Sequence, residues 1–357
     1  MKRKLKVGDW VLVRTREEIL GTLDSNAELD GMPFMPEMFQ FCGKRFQVYK
    51  RAHKTCDTVF PVRGRRVADA VHLEARCSGL AHGGCQASCL LFWKTAWLKP
   101  VDGNDHDFKG VTSQANPPAE SFVYACTNSI DPQDSAVRYR CQATRLPYAT
   151  TDLEWWDPRQ YVEDFTSGNV GIGRILSGVV YMAAYALTRA GLGLGRPIRW
   201  FYDRFYPLWG GAPFPRRIGS IPDEKPTPTK TLNLQPGEIV QIKPYKEILQ
   251  TLNMSNRNRG LYWDAEEVPY CGKAFRVLKR VDRIINERTG KMQEMKTPAV
   301  ILDSVICESR YSECRLNCPR SIYPYWREIW LERVEPFPAK IDVETVHSAS
   351  MQKAGER

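Results

Sequence analysis

The sequence predicts a mainly β protein with a helical insert, an α+β chain in which two small curled barrels are each stapled by a metal site. Three observations carry that expectation. The segment Cys42-Gly43-Lys44-Arg45-Phe46-Gln47-Val48-Tyr49-Lys50-Arg51 recurs 229 residues later as Cys271-Gly272-Lys273-Ala274-Phe275-Arg276-Val277-Leu278-Lys279-Arg280. Each copy carries four cysteines at matching places. Short alternating runs bounded by Gly and Pro fill both copies, which is the pattern of short strands in a curled sheet.

Repeat one is assigned residues 1–102. Gly8 turns the chain into the alternating strand Trp10-Val11-Leu12-Val13. Residues 16–24 read as a short helical turn, and a loop with Gly31 and Pro36 leads to Cys42. Residues 46–50 and 68–76 read as a strand and its return. A Cys-rich loop follows, and Trp93-Lys94-Thr95-Ala96-Trp97-Leu98 closes the copy. Repeat two, residues 233–338, keeps the order: a strand over 237–242, a helical turn over 247–253, and a long hairpin turning near Thr289-Gly290-Lys291. Its closing element, Trp326 to Leu331, is displaced by four residues, placed after Cys318. Residues 103–232 are a linker plus the helical insert. There, Asp157 and Pro158 read as cap and first helical position, and Asn169 as the cap of a longer helix reaching Ala190. Residues 213–230 are Pro-rich and extended. The tail, 339–357, is polar and expected to be disordered.

Hydrophobic residues make up 43% of the 357-residue chain and charged residues 26%, the balance of a folded domain. The net charge of +10 favours anionic partners. No apolar run of signal-peptide length follows the basic start, so the expected location is cytoplasmic, with peripheral membrane contact as an alternative. In a reducing compartment, eleven cysteines in repeated spacing point to metal rather than to disulfides.

The metal ligands expected are Cys42, Cys77, Cys85 and Cys89 in repeat one and Cys271, Cys307, Cys314 and Cys318 in repeat two. The last three of each set are spaced C-x7-C-x3-C and C-x6-C-x3-C. A hairpin turning at Thr289-Gly290 sets Cys271 opposite Cys307, and a turn between Val59 and Phe60 does the same for Cys42 and Cys77. Four thiolates suit tetrahedral zinc in a closed, structural site, so two zinc ions are expected, with iron–sulfur as runner-up. Cys56, His72 and His82 are lower-ranked substitutes for the upstream ligand. The offset sets Cys56 against Ile285 and argues against it. Cys126 and Cys141 read as ordinary buried thiols before they read as a third site.

Trp93 and Trp97, like Trp326 and Trp330, read as core rings before they read as a platform for bases. Lys44, Lys50, Arg51, Lys273, Lys279 and Arg280 recur as a basic strand face that could meet an anion or partner. The excess is mild, 17 Lys+Arg against 11 Asp+Glu in residues 1–102 and 17 against 14 in residues 233–336. Residues 175–188 carry no charge, yet are too few to span a bilayer. They read first as a buried helix and second as an interfacial segment, with Ile175, Tyr181, Trp200, Phe201 and Arg204 as docking residues. No catalytic residue is assigned, since no phosphate-binding loop, HExxH, GxSxG or paired-carboxylate motif stands out.

The opening G-D/E-x-V pattern resembles that of SH3-like barrels, including those of KOW modules. The tandem as a whole, with CGK-x-F-x-V-x-KR and W-x3-WL, resembles a group of bacterial tandem Cys-rich repeat proteins, a resemblance that implies no particular chemistry. The expected function is therefore non-catalytic binding or scaffolding, docking an anionic or protein partner. Nucleic-acid binding through the basic strand faces and a thiol-redox or enzyme-accessory role are the alternatives. No motif identifies a small-molecule substrate.

Overall fold

A computed structural model describes residues 4–59, 63–101, 119–191, 193–209 and 211–334. Most of the expected linker, the proposed Val59–Phe60 turn in part, and the tail lie outside these residues. The architecture is α+β. In repeat two, five antiparallel strands form one sheet in the spatial order Trp326–Arg327, Met292–Leu302, Ala274–Ile285, Ile239–Ile242, Leu331–Arg333. The hairpin turns over 286–291, and its ladder runs from Ile285↔Met292 to Val277↔Leu302, close to the register expected. One segment, 326–333, supplies both edge strands by bending through the 3-10 turn Glu328–Trp330. This curls the sheet. The expected closure is not reached, however: among the described residues the strands form small open sheets, because the edge strands are only two or three residues long and do not pair with each other. Repeat one follows the same order in two pieces, with Leu98–Pro100, Trp10–Val13 and Arg45–Gln47 in one and Lys50–Arg51, Ala70–Arg76 and Leu90–Lys94 in the other.

The cores repeat ring for ring. Phe34 packs edge-on against Trp97 with ring centroids 5.2 Å apart, and its counterpart Trp263 does so against Trp330 at 5.0 Å. Trp97 Nε1–H donates to Thr22 Oγ1 at 3.1 Å, and Trp330 Nε1–H to Thr251 Oγ1 at 2.9 Å. Trp93, Trp97, Trp326 and Trp330 are fully buried, so they fill cores and present no stacking face.

The two repeats meet around a local two-fold relation, which the hydrogen bonds reveal in reciprocal pairs. Lys50 Nζ donates to Ser321 Oγ at 2.8 Å, and Lys279 Nζ donates to Ser88 Oγ at 3.4 Å. The Cys56 amide donates to Cys318 Sγ at 3.1 Å, and the Ile285 amide donates to Cys85 Sγ at 3.4 Å. Thr58 and Glu287, themselves 229 apart, bond directly to each other, as counterparts do on a two-fold axis. Each repeat thus lays its long hairpin against the other's Cys loop. These pairs also relocate the insertion. Cys77 N–H donates to Cys89 O and Cys307 N–H donates to Ile322 O. Cys85 therefore corresponds to Cys318 and Cys89 to Ile322, and the four extra residues of repeat two precede Cys318 rather than follow it. Cys314 lies in the lengthened loop and has no counterpart.

The insert touches both repeats. Thr150–Leu153 adds a strand to Gly64–Val67 of repeat one. Helix Arg159–Thr166 begins one residue later than expected, with Asp157 Oδ1 accepting from the Arg159 amide at 3.0 Å. Helices Ile172–Arg189 and Gly195–Phe205 form a hairpin against repeat two, where Tyr181 and Tyr202 join the core that holds Trp263 and Trp330. Among the described residues no helix is long and apolar enough to cross a membrane.

Candidate functional site

Neither expected four-cysteine cage is shown. Among the described residues, no three of the four thiols of either set lie within 4.8 Å of one another. The reason lies upstream. Cys42 and Cys271 each cap a 3-10 helix, Pro36–Phe41 and Ala265–Tyr270, and a glycine with positive φ (Gly43 at +73°, Gly272 at +79°) then turns the chain into the strand. The ladder ends before it reaches either cysteine, so register cannot carry them to Cys77 and Cys307. Cys42 sits in the field of Arg16, Glu120 and Glu17, and burial pushes its thiol up to about 11. Cys271 Sγ donates to Glu267 O at 3.9 Å, and Cys307 Sγ pairs with Ser309 Oγ at 3.5 Å. Cys314 lines a separate cleft with Arg63, Asp152 and Trp155.

A different set converges. Cys77, at the end of strand Ala70–Arg76, and Cys85 and Cys89, from the loop that follows, line one cavity of about 30 Å³ together with Cys141, which precedes helix Gln142–Ala149. Gly79 lets this loop close, because a Cβ there would fall 1.9 Å from Cys85 O. Ile285 and Arg320 of repeat two complete the wall, and Arg320 pairs with Glu287 at 3.0 Å. Burial pushes the Cys89 thiol up to about 12 and the Cys141 thiol up to about 11; Cys77 is raised by burial and by the Glu37 charge. Without a cation these thiols are neutral.

The tightest ligand-type group is Glu37, Cys77 and His82, whose ligand atoms lie within 4.8 Å of one another. Burial works against the Glu37 carboxylate, but the hydrogen bond and charge of His82 outweigh it and hold its pKa below the usual range. Glu37 Oε1 accepts from the Ala81 amide at 3.2 Å and from His82 Nδ1 at 3.1 Å. Its counterpart Glu266 ties the same loop of repeat two with no imidazole, accepting from the Arg310 and Tyr311 amides and from Ser312 Oγ. The carboxylate is therefore a loop tie common to both repeats. His82 Nε2 faces Arg140 O at 3.2 Å, so both ring nitrogens already face oxygen acceptors. His72 is fully buried, with Nδ1 on Leu91 O at 2.8 Å, outside the cavity.

Across the two-fold, Cys318 and Cys56 hold the positions equivalent to Cys85 and Ile285. The Cys56 thiol is raised by its bond to Cys318 and by burial. Burial opposes ionisation of Cys318, but donors from Cys56 and the Arg320 amide outweigh it and bring Cys318 to about 7. Here the ammonium groups of Lys50 and Lys54 lie within electrostatic reach. Lys54 Nζ is nearly buried and reaches Asp164 Oδ2 at 2.6 Å and Leu316 O at 2.7 Å. His53 Nε2 lies 3.2 Å from Asp164 Oδ1.

Of the expected basic face, four cations have internal partners: Lys50 and Lys279 as above, Arg51 on Glu163 at 3.2 Å, and Arg280 on Glu328 at 3.3 Å. Lys44 and Lys273 are exposed. In the helical hairpin Ile175 and Tyr181 are buried, which removes them from any docking face: Tyr181 packs edge-on to Tyr311 at 4.9 Å. Trp200, Phe201 and Arg204 point outward as expected. The outward face of the first helix is apolar too. Ile172, Leu176, Val179, Val180 and Leu187 recur with helical spacing and are 47–66% exposed.

Sequence reasoning ranks Cys141 and Cys56 below the repeated cysteines. Cys141 is remote from the repeat and carries no periodic signal. Pairing Cys56 with Ile285 by offset does hold a clue, since both residues lie against the other repeat's cysteine. Comparison with protein-family models, with curated proteins and with solved structures finds no match.

Proposed function

We propose that the chain is a non-catalytic docking scaffold, in which two SH3-like modules form a base and the helical hairpin of the insert lies on an anionic lipid surface. The SH3-like reading draws on the shared strand order, with a 3-10 turn before the last strand of each repeat. The observation that carries the docking reading is the outward stripe Ile172, Leu176, Val179, Val180 and Leu187. Its helix is already apolar on the face turned to repeat two, and a helix apolar on both faces calls for a second cover. Charge chooses the cover. Residues 171–209 contain five arginines and a single acid, Asp203, which Arg217 neutralises; Arg174 and Arg189 pair with Glu308 and Glu313, so the outward charge rests on Arg196, Arg199 and Arg204. Exposed Arg196, Arg199 and Arg204 alternate with Trp200 and Phe201, the composition of an interfacial segment. Seating each half-exposed aliphatic recovers about 1 kcal/mol, and each arginine near an anionic surface adds about 1 kcal/mol.

The test is co-sedimentation with phosphatidylserine-containing vesicles against neutral vesicles. Binding should favour the anionic vesicles and weaken with salt. Leu176→Asp combined with Val180→Asp should reduce it at least tenfold with the circular dichroism spectrum unchanged, because both side chains face solvent. Equal recovery with neutral vesicles, or a dimer in light scattering that the double substitution dissociates, would show a different cover.

A further inference from the structure

We infer that Cys77, Cys85, Cys89 and Cys141 hold one zinc ion at the seam between the repeats. The four thiols surround a single cavity of about 30 Å³, room for one water-sized particle. Four sulfur ligands and no open position make a structural zinc centre. A zinc tetrahedron sets sulfur atoms about 3.8 Å apart; no three of these thiols lie within 4.8 Å of one another, so binding draws them inward. Burial disfavours free thiolates here, so the charge on sulfur depends on the ion and on two groups in the wall. The Ile285 amide already donates to Cys85 Sγ at 3.4 Å, and the Arg320 guanidinium in the cavity wall offsets the negative charge of a four-thiolate site.

The same reasoning gives one ion per chain instead of two. Across the two-fold, Ile322 stands where Cys89 does, no cysteine of the insert takes the place of Cys141, and Lys50 and Lys54 supply positive charge beside Cys318. Zinc would therefore join repeat one to the insert and, through the Ile285 amide, brace repeat two. This inference is independent of the docking reading, since the cavity and the helical hairpin share no residue.

The experiment is zinc stoichiometry by elemental analysis of the full chain, with X-ray absorption at the zinc edge. The parent should bind one equivalent with a shell of four sulfurs near 2.3 Å. Cys42→Ser should keep both the equivalent and the shell, and Cys141→Ser should lose most of the zinc. Two equivalents, a nitrogen or oxygen neighbour in the parent shell, zinc loss in Cys42→Ser, or full retention in Cys141→Ser would each overturn the assignment. If Cys141→Ser does not fold, the parent shell and the Cys42→Ser result still decide.

Discussion

Asp164→Ala is expected to destabilise the fold by about 3–5 kcal/mol, because it strands a buried ammonium. Lys54 and Asp164 are almost wholly removed from solvent, and their 2.6 Å contact is closed by Leu316 O and by Gln160 Oε1 at 3.3 Å. Burial lowers the Lys54 pKa, and the Asp164 charge works against that fall. The pair gathers three parts of the chain at one point: Lys54 from repeat one, Asp164 from the insert, Leu316 from repeat two. Removing one partner leaves the other charge uncompensated, whereas removing both can be close to neutral. Lys54→Met added to Asp164→Ala should therefore restore most of the loss. Urea unfolding of the single and double variants measures this. A single variant within 1 kcal/mol of the parent would mean that the ammonium reaches water or deprotonates at little cost.

The second large effect follows from reading one repeat against the other. Glu267 is 4% exposed and its Oε2 has no hydrogen-bond partner; its counterpart in repeat one is Met38, fully buried. Burial, helped by the Asp264 charge, raises the Glu267 pKa well above that of a free carboxyl. The folded state therefore holds its proton where the unfolded state releases it. Stability from this group is full below the unfolded value, near 4.5, and is lost as pH rises toward the folded one. Glu267→Met should remove that loss, gaining about 1.4 kcal/mol per pH unit relative to the parent as pH rises above the unfolded value toward the raised folded one. Glu266, raised by burial to about 7, contributes the same sign in both proteins and cancels in the comparison. Parallel stability–pH curves for the two proteins would show that Glu267 is hydrated or paired in solution.

The sequence by itself determined what depends on neighbours along the chain. The duplication, the alternating strands, the hairpin turn near Gly290 and the role of the tryptophans as core rings were all legible, because a period of two and a turn residue act over a few positions. The register could not be extended past the ladder, and Cys42 and Cys271 show why: a 3-10 helix and a positive-φ glycine take the chain out of the sheet before the cysteine is reached. Tertiary structure decided the rest. Only packing shows that the long hairpin of each repeat lies on the other's Cys loop, that the extra residues precede Cys318, and that Cys141 arrives beside Cys77 from the insert. It also chose which apolar face of helix Ile172–Arg189 meets repeat two. Periodicity marks both faces as apolar, and the choice between them rests on a partner, Tyr311 and the loop around it, more than a hundred residues away in the chain.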